Sequence, residues 1–116
     1  MQYKYEIMED HLVLEFNGDL IGENHGPELI SIVNDQINNE IIFCIIDLTG
    51  VRYINSSGIG VLITILTKFR NRGGDVVLIK PPKTVEKLLL ITKLRSIFTI
   101  SDSIVDAIKE LKKSEK

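Results

Sequence analysis

Ile41-Ile-Phe-Cys-Ile-Ile46 is apolar at every position and is followed at once by Asp47-Leu-Thr-Gly50. An unbroken apolar run rich in β-branched residues has no polar side to turn toward water. Such a run reads as a strand covered on both faces, the condition of strands in a largely parallel sheet with helices packed on it. Val76 to Ile79 is a second wholly apolar run. A helical pattern lies between the two, so the pair reads as one strand–helix–strand unit with a right-handed crossover.

Working outward toward the amino terminus, Pro27 is a favourable first helical residue, because only an otherwise unpaired N–H is lost there. Leu29, Ile30, Val33 and Ile37 then line one helical face, and the helix is expected to end near Asn38-Asn39. Before it, Ile21 to Gly26 reads as a loop and Asn17-Gly18-Asp19 as a break. Tyr3, Tyr5 and Ile7 alternate with Lys4 and Glu6, and Leu12, Leu14 and Phe16 alternate again after Glu9-Asp10. Two period-2 runs across a short polar turn make a hairpin at a sheet edge, with Leu12, Leu14 and Phe16 inward.

Toward the carboxyl terminus, Ser56-Ser57-Gly58 opens a helix carrying Ile59, Leu62, Ile63, Leu66 and Phe69 at helical spacing. Cations Arg70 and Arg72 and the pair Gly73-Gly74 close it. After Pro81-Pro82, a helix over 83–92 presents Val85, Leu88, Leu89 and Ile91. A short strand spans 98–100. Asp102 or Ser103 caps a last helix with Ile104, Ala107, Ile108 and Leu111 inward. The expected order is β-β-α-β-α-β-α-β-α, a single α/β domain over 1–112 with a frayed tail over 113–116. Its sheet is mixed but mostly parallel, with the hairpin at one edge.

The chain has 116 residues, 44% hydrophobic and 26% charged, which suits one globular domain and argues against extensive disorder. Its 14 basic and 16 acidic side chains leave a net charge of −2, so no uniformly basic surface speaks for direct nucleic-acid binding. Residues 1–67 hold 2 basic and 10 acidic groups, whereas 68–95 hold 8 basic and 2 acidic, an asymmetry able to orient a charged partner. No apolar run is long enough to span a membrane, and the start lacks the apolar centre of a signal peptide, so a cytoplasmic protein without membrane insertion is expected.

The inventory for catalysis is thin. His11 and His25 stand apart, and the metal-binding spacings His-x₃-His and Cys-x₂-Cys are absent, so no metal is expected. Glycine-rich phosphate loops are absent too. Cys44, the one cysteine, lies inside an apolar strand and reads as a small hydrophobe. Asp47 and Asp75 flank strands without an evident acid–base partner. Catalytic residues and cofactors are expected to be none.

Tyr53-Ile-Asn-Ser-Ser-Gly-Ile-Gly60 is the most informative polar segment. Asn and Ser there can cap free helix N–H groups, and Gly58 permits close approach of another backbone. The same position tolerates an added phosphate, because a helix amino terminus favours negative charge. Ile46-Asp-Leu-Thr-Gly-Val-Arg-Tyr-Ile-Asn-Ser-Ser-Gly-Ile-Gly-Val61 closely resembles the signature of STAS domains, specifically bacterial anti-sigma factor antagonists. The resemblance continues through Gly73-Gly74, Val76–Ile79, the run Val85 to Leu94, Phe98 and the segment from Asp102.

That resemblance implies a partner-switching protein. The acceptor of phosphate would be Ser56, with Ser57 the neighbouring alternative, and the donor an anti-sigma factor serine kinase with a histidine-kinase-like ATPase fold. Unphosphorylated, the antagonist binds that kinase and frees a sigma factor; a PP2C-type phosphatase reverses the modification. Asp19, Glu23, Asn24, Asn55, Ser56, Ser57, Gly58, Ile59 and Gly60 are the implied partner-binding positions. Two departures stand out: Asn55 replaces the usual Asp, and the loop over 19–26 is one residue longer than expected and lacks the Asp that usually follows soon after Gly-(Asp/Glu)-Leu. The alternative is an unphosphorylated scaffold in a transport or stress-signalling complex, using Val61 or Ile65 as permanent contacts.

Overall fold

The computed structural model describes residues 2–114, leaving aside the side chains of 22–24 and 114. Among these, the strands are β1 (Gln2–Met8), β2 (His11–Leu20), β3 (Phe43–Ile54), β4 (Asp75–Ile79) and β5 (Thr99–Ser101). The helices are α1 (Gly22–Asn38), α2 (Ser56–Arg70), α3 (Lys83–Ile91) and α4 (Ile104–Ser114), with a 3₁₀ turn over Arg95–Ile97. The strands form one sheet in chain order, antiparallel between β1 and β2 and parallel thereafter.

Because each parallel strand pairs with the next in the chain, right-handed crossovers put α1, α2 and α3 on one face. Leu12, Leu14, Phe16, Cys44, Ile46, Val76 and Leu78 point to that face and meet Leu29, Val33, Leu62, Phe69, Val85 and Leu89. The alternate residues Val13, Phe43, Ile45, Val77 and Ile79 face the other way and pack on Ala107, Ile108 and Leu111 of α4. The two apolar runs thus supply both cores, which is why no polar position interrupts them.

Several boundaries differ from the sequence reading. β3 continues through Thr49-Gly50 to Ile54, and β2 continues through Asn17-Gly18-Asp19 to Leu20. The two strands stay paired because register shifts at Glu15/Asn17 and Gly18/Asp19 absorb the irregular residues as bulges. α1 starts at Gly22, so Pro27 lies inside the helix rather than at its first position. Gly26 makes this possible, since a residue without Cβ avoids the usual clash before proline. Gly26 is also buried, and a Cβ there would sit 3.1 Å from Val61 Cγ2.

The last strand begins one residue later than expected, at Thr99, and Ser103 rather than Asp102 caps α4, its Oγ accepting from Asp106 N at 3.1 Å. α4 continues to Ser114, past the expected domain limit at 112, and residues 115–116 lie outside the described part. Ile91 points outward, 67% exposed, because it follows Leu89 by half a turn while Val85 and Leu89 hold α3 to the sheet. Tyr5 and Ile7 are also nearly half exposed: the helical layer reaches the edge strand at Tyr3, whose hydroxyl donates to Glu28 of α1.

Candidate functional site

The carboxyl ends of β2 and β3 bring together two segments that sequence reading treated as loops. Asn55 N–H donates to the carbonyl of Leu20 at 3.3 Å, tying the exit of β3 to the exit of β2. Asn55 has extended backbone, with φ −97° and ψ 178°, and serves as the N-cap of α2. Its Oδ1 accepts from Gly58 N–H at 2.8 Å and from the Ser57 hydroxyl at 2.9 Å. A carboxylate could accept the same two bonds, so replacing Asp with Asn keeps the cap and removes its charge.

The helix start divides the paired serines. Ser57 is half buried and joins the Asn55 cap, whereas Ser56, the first residue of α2, is exposed. Gly58 is buried under the end of β2: a Cβ there would lie 2.4 Å from the Leu20 carbonyl oxygen and 2.8 Å from Ile54 Cγ1. Gly60 differs, since a Cβ there would meet nothing within 4 Å. Ile59 is only 5% exposed and belongs to the core beneath the site, so its side chain offers a partner almost no surface.

Asp19 sits beside this helix start but is already engaged. Arg52 of β3 donates from Nε to Oδ1 at 3.0 Å and from Nη2 to Oδ2 at 2.9 Å. The paired guanidinium holds the Asp19 carboxyl below its ordinary range, and Asp19 in turn raises Arg52. Arg52 was missed by sequence reasoning: 33 positions separate the partners, and only the bulged pairing of β2 with β3 joins them. The side chains of Glu23 and Asn24 lie outside the described residues.

An apolar groove adjoins the site, lined by Tyr53, Ile54, Thr84, Val85, Lys87, Leu88 and Ile91. Tyr53 is 54% exposed at its rim, two residues before the cap. The basic segment does not form one patch. Lys80 and Lys83 sit at the same end of the sheet as Ser56, whereas Lys68, Arg70 and Arg72 lie at the far end of the 15-residue α2. Arg70 is bonded there to Asp75 and to the Ile97 carbonyl.

The surfaces named for a permanent scaffold are not available. Val61 is 9% exposed and Ile65 is fully buried, because both lie on the face of α2 that packs into the core. Cys44 is buried, and loss of hydration pushes its thiol pKa well up, so the reactive thiolate is disfavoured. His11 is 3% exposed, donates from Nδ1 to the Glu9 carbonyl at 2.6 Å and stacks on Phe43 at the opposite end of the sheet. Among the described residues there is no cluster of three or more side chains suited to holding a metal, and no helix long and apolar enough to cross a membrane.

This architecture, with a capped serine pair opening the second helix at the carboxyl edge of the sheet, defines a class of domain. The STAS domain family model matches residues 2–107, and the chain belongs to that family. A candidate anti-sigma factor antagonist of Thermotoga neapolitana is 31% identical over 109 residues, covering 94% of this chain and 96% of the relative. The crystal structure of a candidate anti-sigma factor antagonist from Thermotoga maritima superposes with a TM-score of 0.85 at 30% identity, covering 95% and 94% of the two chains. The unphosphorylated form of the anti-sigma factor antagonist SpoIIAA shares the fold, with a TM-score of 0.82 at 17% identity over 97% of each chain. SpoIIAA of Bacillus in its phosphorylated form superposes at 0.74, with 16% identity over 94% of this chain and 98% of its own. These relatives carry names for antagonism of another protein rather than for a catalysed reaction, and the chain stands with the anti-sigma factor antagonists.

Proposed function

We propose that this chain is a phosphorylation-switched antagonist: unphosphorylated, it binds an anti-sigma factor that is also a serine kinase, and a sigma factor is released. Ser56 is the acceptor. The observation that carries this reading is the division of the serine pair, with Ser56 exposed at the first position of α2 and Ser57 held by Asn55.

In the transfer, the Ser56 hydroxyl oxygen bonds to the γ-phosphorus of ATP, the bond to the ADP leaving group breaks, and the hydroxyl proton passes to a base of the kinase. The kinase also supplies the magnesium, so this chain contributes the acceptor and its positioning. The product places about −1.5 to −2 charges at a helix amino terminus, where the dipole and free N–H groups favour it. Ser56 projects into solvent, so the phosphate needs no rearrangement of the core and acts on the partner's surface. A PP2C-type phosphatase restores the hydroxyl by hydrolysis and releases inorganic phosphate. The solved unphosphorylated and phosphorylated forms of SpoIIAA support this reading by analogy.

The test is affinity capture from cell extract with the wild type beside Ser56→Ala and Ser56→Asp, followed by incubation of the captured kinase with ATP. The wild type gains about 80 Da, the mass added by one phosphorylation. Ser56→Ala keeps the partner and takes no label, and Ser56→Asp loses the partner. Labelling that persists in Ser56→Ala overturns the site, and full retention of the kinase by Ser56→Asp overturns the switch.

A further inference from the structure

The longer of the two edge strands is β1, Gln2-Tyr-Lys-Tyr-Glu-Ile-Met8, which carries exposed Tyr5 and Ile7 and pairs with β2 on one side only. Long edge strands with exposed apolar side chains are usually blunted by a proline, a bulge or charged side chains. This one has no proline, and its pairing with β2 runs without a register shift from Gln2↔Asn17 to Met8↔His11.

The turn into β2 has two residues, Glu9 and Asp10, with φ of 49° and 64°, the geometry of a tight I′ hairpin. In such a hairpin the flanking pair, here Met8 and His11, exchanges hydrogen bonds, and paired positions then alternate along the ladder. The backbone groups of Gln2, Lys4, Glu6 and Met8 therefore turn toward β2. Those of Tyr3, Tyr5 and Ile7 turn toward the open edge, where a second strand can use them.

We propose that β1 pairs antiparallel with β1 of a second copy of this chain, about a twofold axis at Tyr5, to join two sheets into one. In that register Tyr3 lies opposite Ile7 and Tyr5 opposite Tyr5 on the face shared with the helices. Lys4 lies opposite Glu6, twice, on the other face. The charges select the register. A slip that keeps outward backbone groups matched moves by two residues, and it sets Lys4 against Lys4 or Glu6 against Glu6. Directly opposed like charges destabilise a strand pair, whereas opposite charges and aromatic–aliphatic pairs support it. Lys4 also lies 3.6 Å from Glu15 of β2, so in the joined sheet it stands between two carboxylates.

The contact is one strand wide, smaller than a permanent dimer interface, so the association is reversible and concentration-dependent. Ser56 lies beyond the end of β3, two strands away from this edge, and stays outside the contact. The inference therefore stands whether or not Ser56 is phosphorylated.

The experiment is sedimentation equilibrium on the full chain, with any affinity tag at the carboxyl terminus, over a wide concentration range. The wild type shows monomer–dimer exchange. Lys4→Glu alone and Glu6→Lys alone each raise the dissociation constant by on the order of tenfold or more, since both cross-strand pairs become repulsive. Mixing the two single variants restores the dimer, because each then meets its opposite charge, and the double exchange K4E/E6K restores it within one chain. As a register test that leaves the charges alone, Tyr5→Cys joins two chains through a short thiol crosslinker and Gln2→Cys does not, with buried Cys44 silent. A wild type that stays monomeric throughout overturns the proposal, as does failure of the mixed charge variants to associate when each is folded. Crosslinking through Gln2→Cys but not Tyr5→Cys overturns the register.

Discussion

The Ser57 hydroxyl lies 2.9 Å from Oδ1 of Asn55, so one of two adjacent serines is committed to starting α2 while the other faces solvent. Their substitutions should separate accordingly. Ser57→Ala removes a half-buried hydrogen bond and lowers unfolding free energy by about 1 kcal/mol. It leaves labelling of Ser56 in place. Ser56→Ala changes stability by no more than about 0.5 kcal/mol, as for a surface position, and abolishes labelling. Urea denaturation read beside intact mass spectrometry makes both comparisons on the same samples.

Asn55 accepts two bonds through one oxygen, which makes the identity of this residue testable apart from phosphorylation. Asn55→Ala loses the cap and costs about 1 kcal/mol. Asn55→Asp keeps an acceptor and adds a negative charge at the amino end of α2, worth roughly 0.3–1 kcal/mol when ionised. The fold then favours the carboxylate, so the introduced group's folded pKa falls below its unfolded value of about 3.9. The gain is present above that unfolded value and is lost as pH falls through the folded one. Thermal or urea unfolding at neutral pH and again at acid pH should show the advantage of Asn55→Asp only in the first.

Gly58 and Gly60 look alike in sequence and differ in space. An added methyl at Gly58 would meet the Leu20 carbonyl oxygen at 2.4 Å, and that oxygen belongs to a paired strand that cannot easily yield. Gly58→Ala should destabilise by about 1–3 kcal/mol through overpacking. Gly60→Ala meets nothing within 4 Å and replaces glycine in a helix interior, so it should stabilise by about 0.5–1 kcal/mol. Chemical denaturation of the two variants beside wild type measures the opposite signs.

The contrast between these glycines shows what was legible beforehand. The apolar runs around Ile45 and Val77 announce the central strands because both cores are written into consecutive residues. The capped start of α2 is legible for a similar reason, since Asn55, Ser57 and Gly58 are neighbours in the chain. The outer halves of β2 and β3 carry no such pattern. Gly18, Asp19, Gly50 and Arg52 read as loop, and their strand character comes from backbone pairing between distant segments that bulges keep in step. The Asp19–Arg52 pair and the Tyr53 groove follow from that pairing, which explains why neither was visible in advance. Ile91 shows the converse error: helical spacing marked it as core, but the short α3 buries only Val85 and Leu89 against the sheet.

The Asp19–Arg52 pair has a pH signature whose sign is fixed by its cause. Arg52 stabilises the ionised carboxyl, so the folded pKa of Asp19 lies below the unfolded value of about 3.9. The pair's contribution is therefore complete at neutral pH and is lost as pH falls below that value through the folded pKa. Both side chains reach solvent, so salt screens the interaction and the effect on global stability is small. The titration of the carboxyl itself is the sharper readout. Followed by carbon-detected NMR, the Asp19 carboxyl should titrate below the ordinary aspartate range in the wild type and return toward it in Arg52→Ala. Arg52→Lys should recover only part of the depression, because an ammonium cannot reproduce the two parallel bonds at 3.0 and 2.9 Å. An unchanged titration in Arg52→Ala would mean that a group other than Arg52 holds the carboxyl.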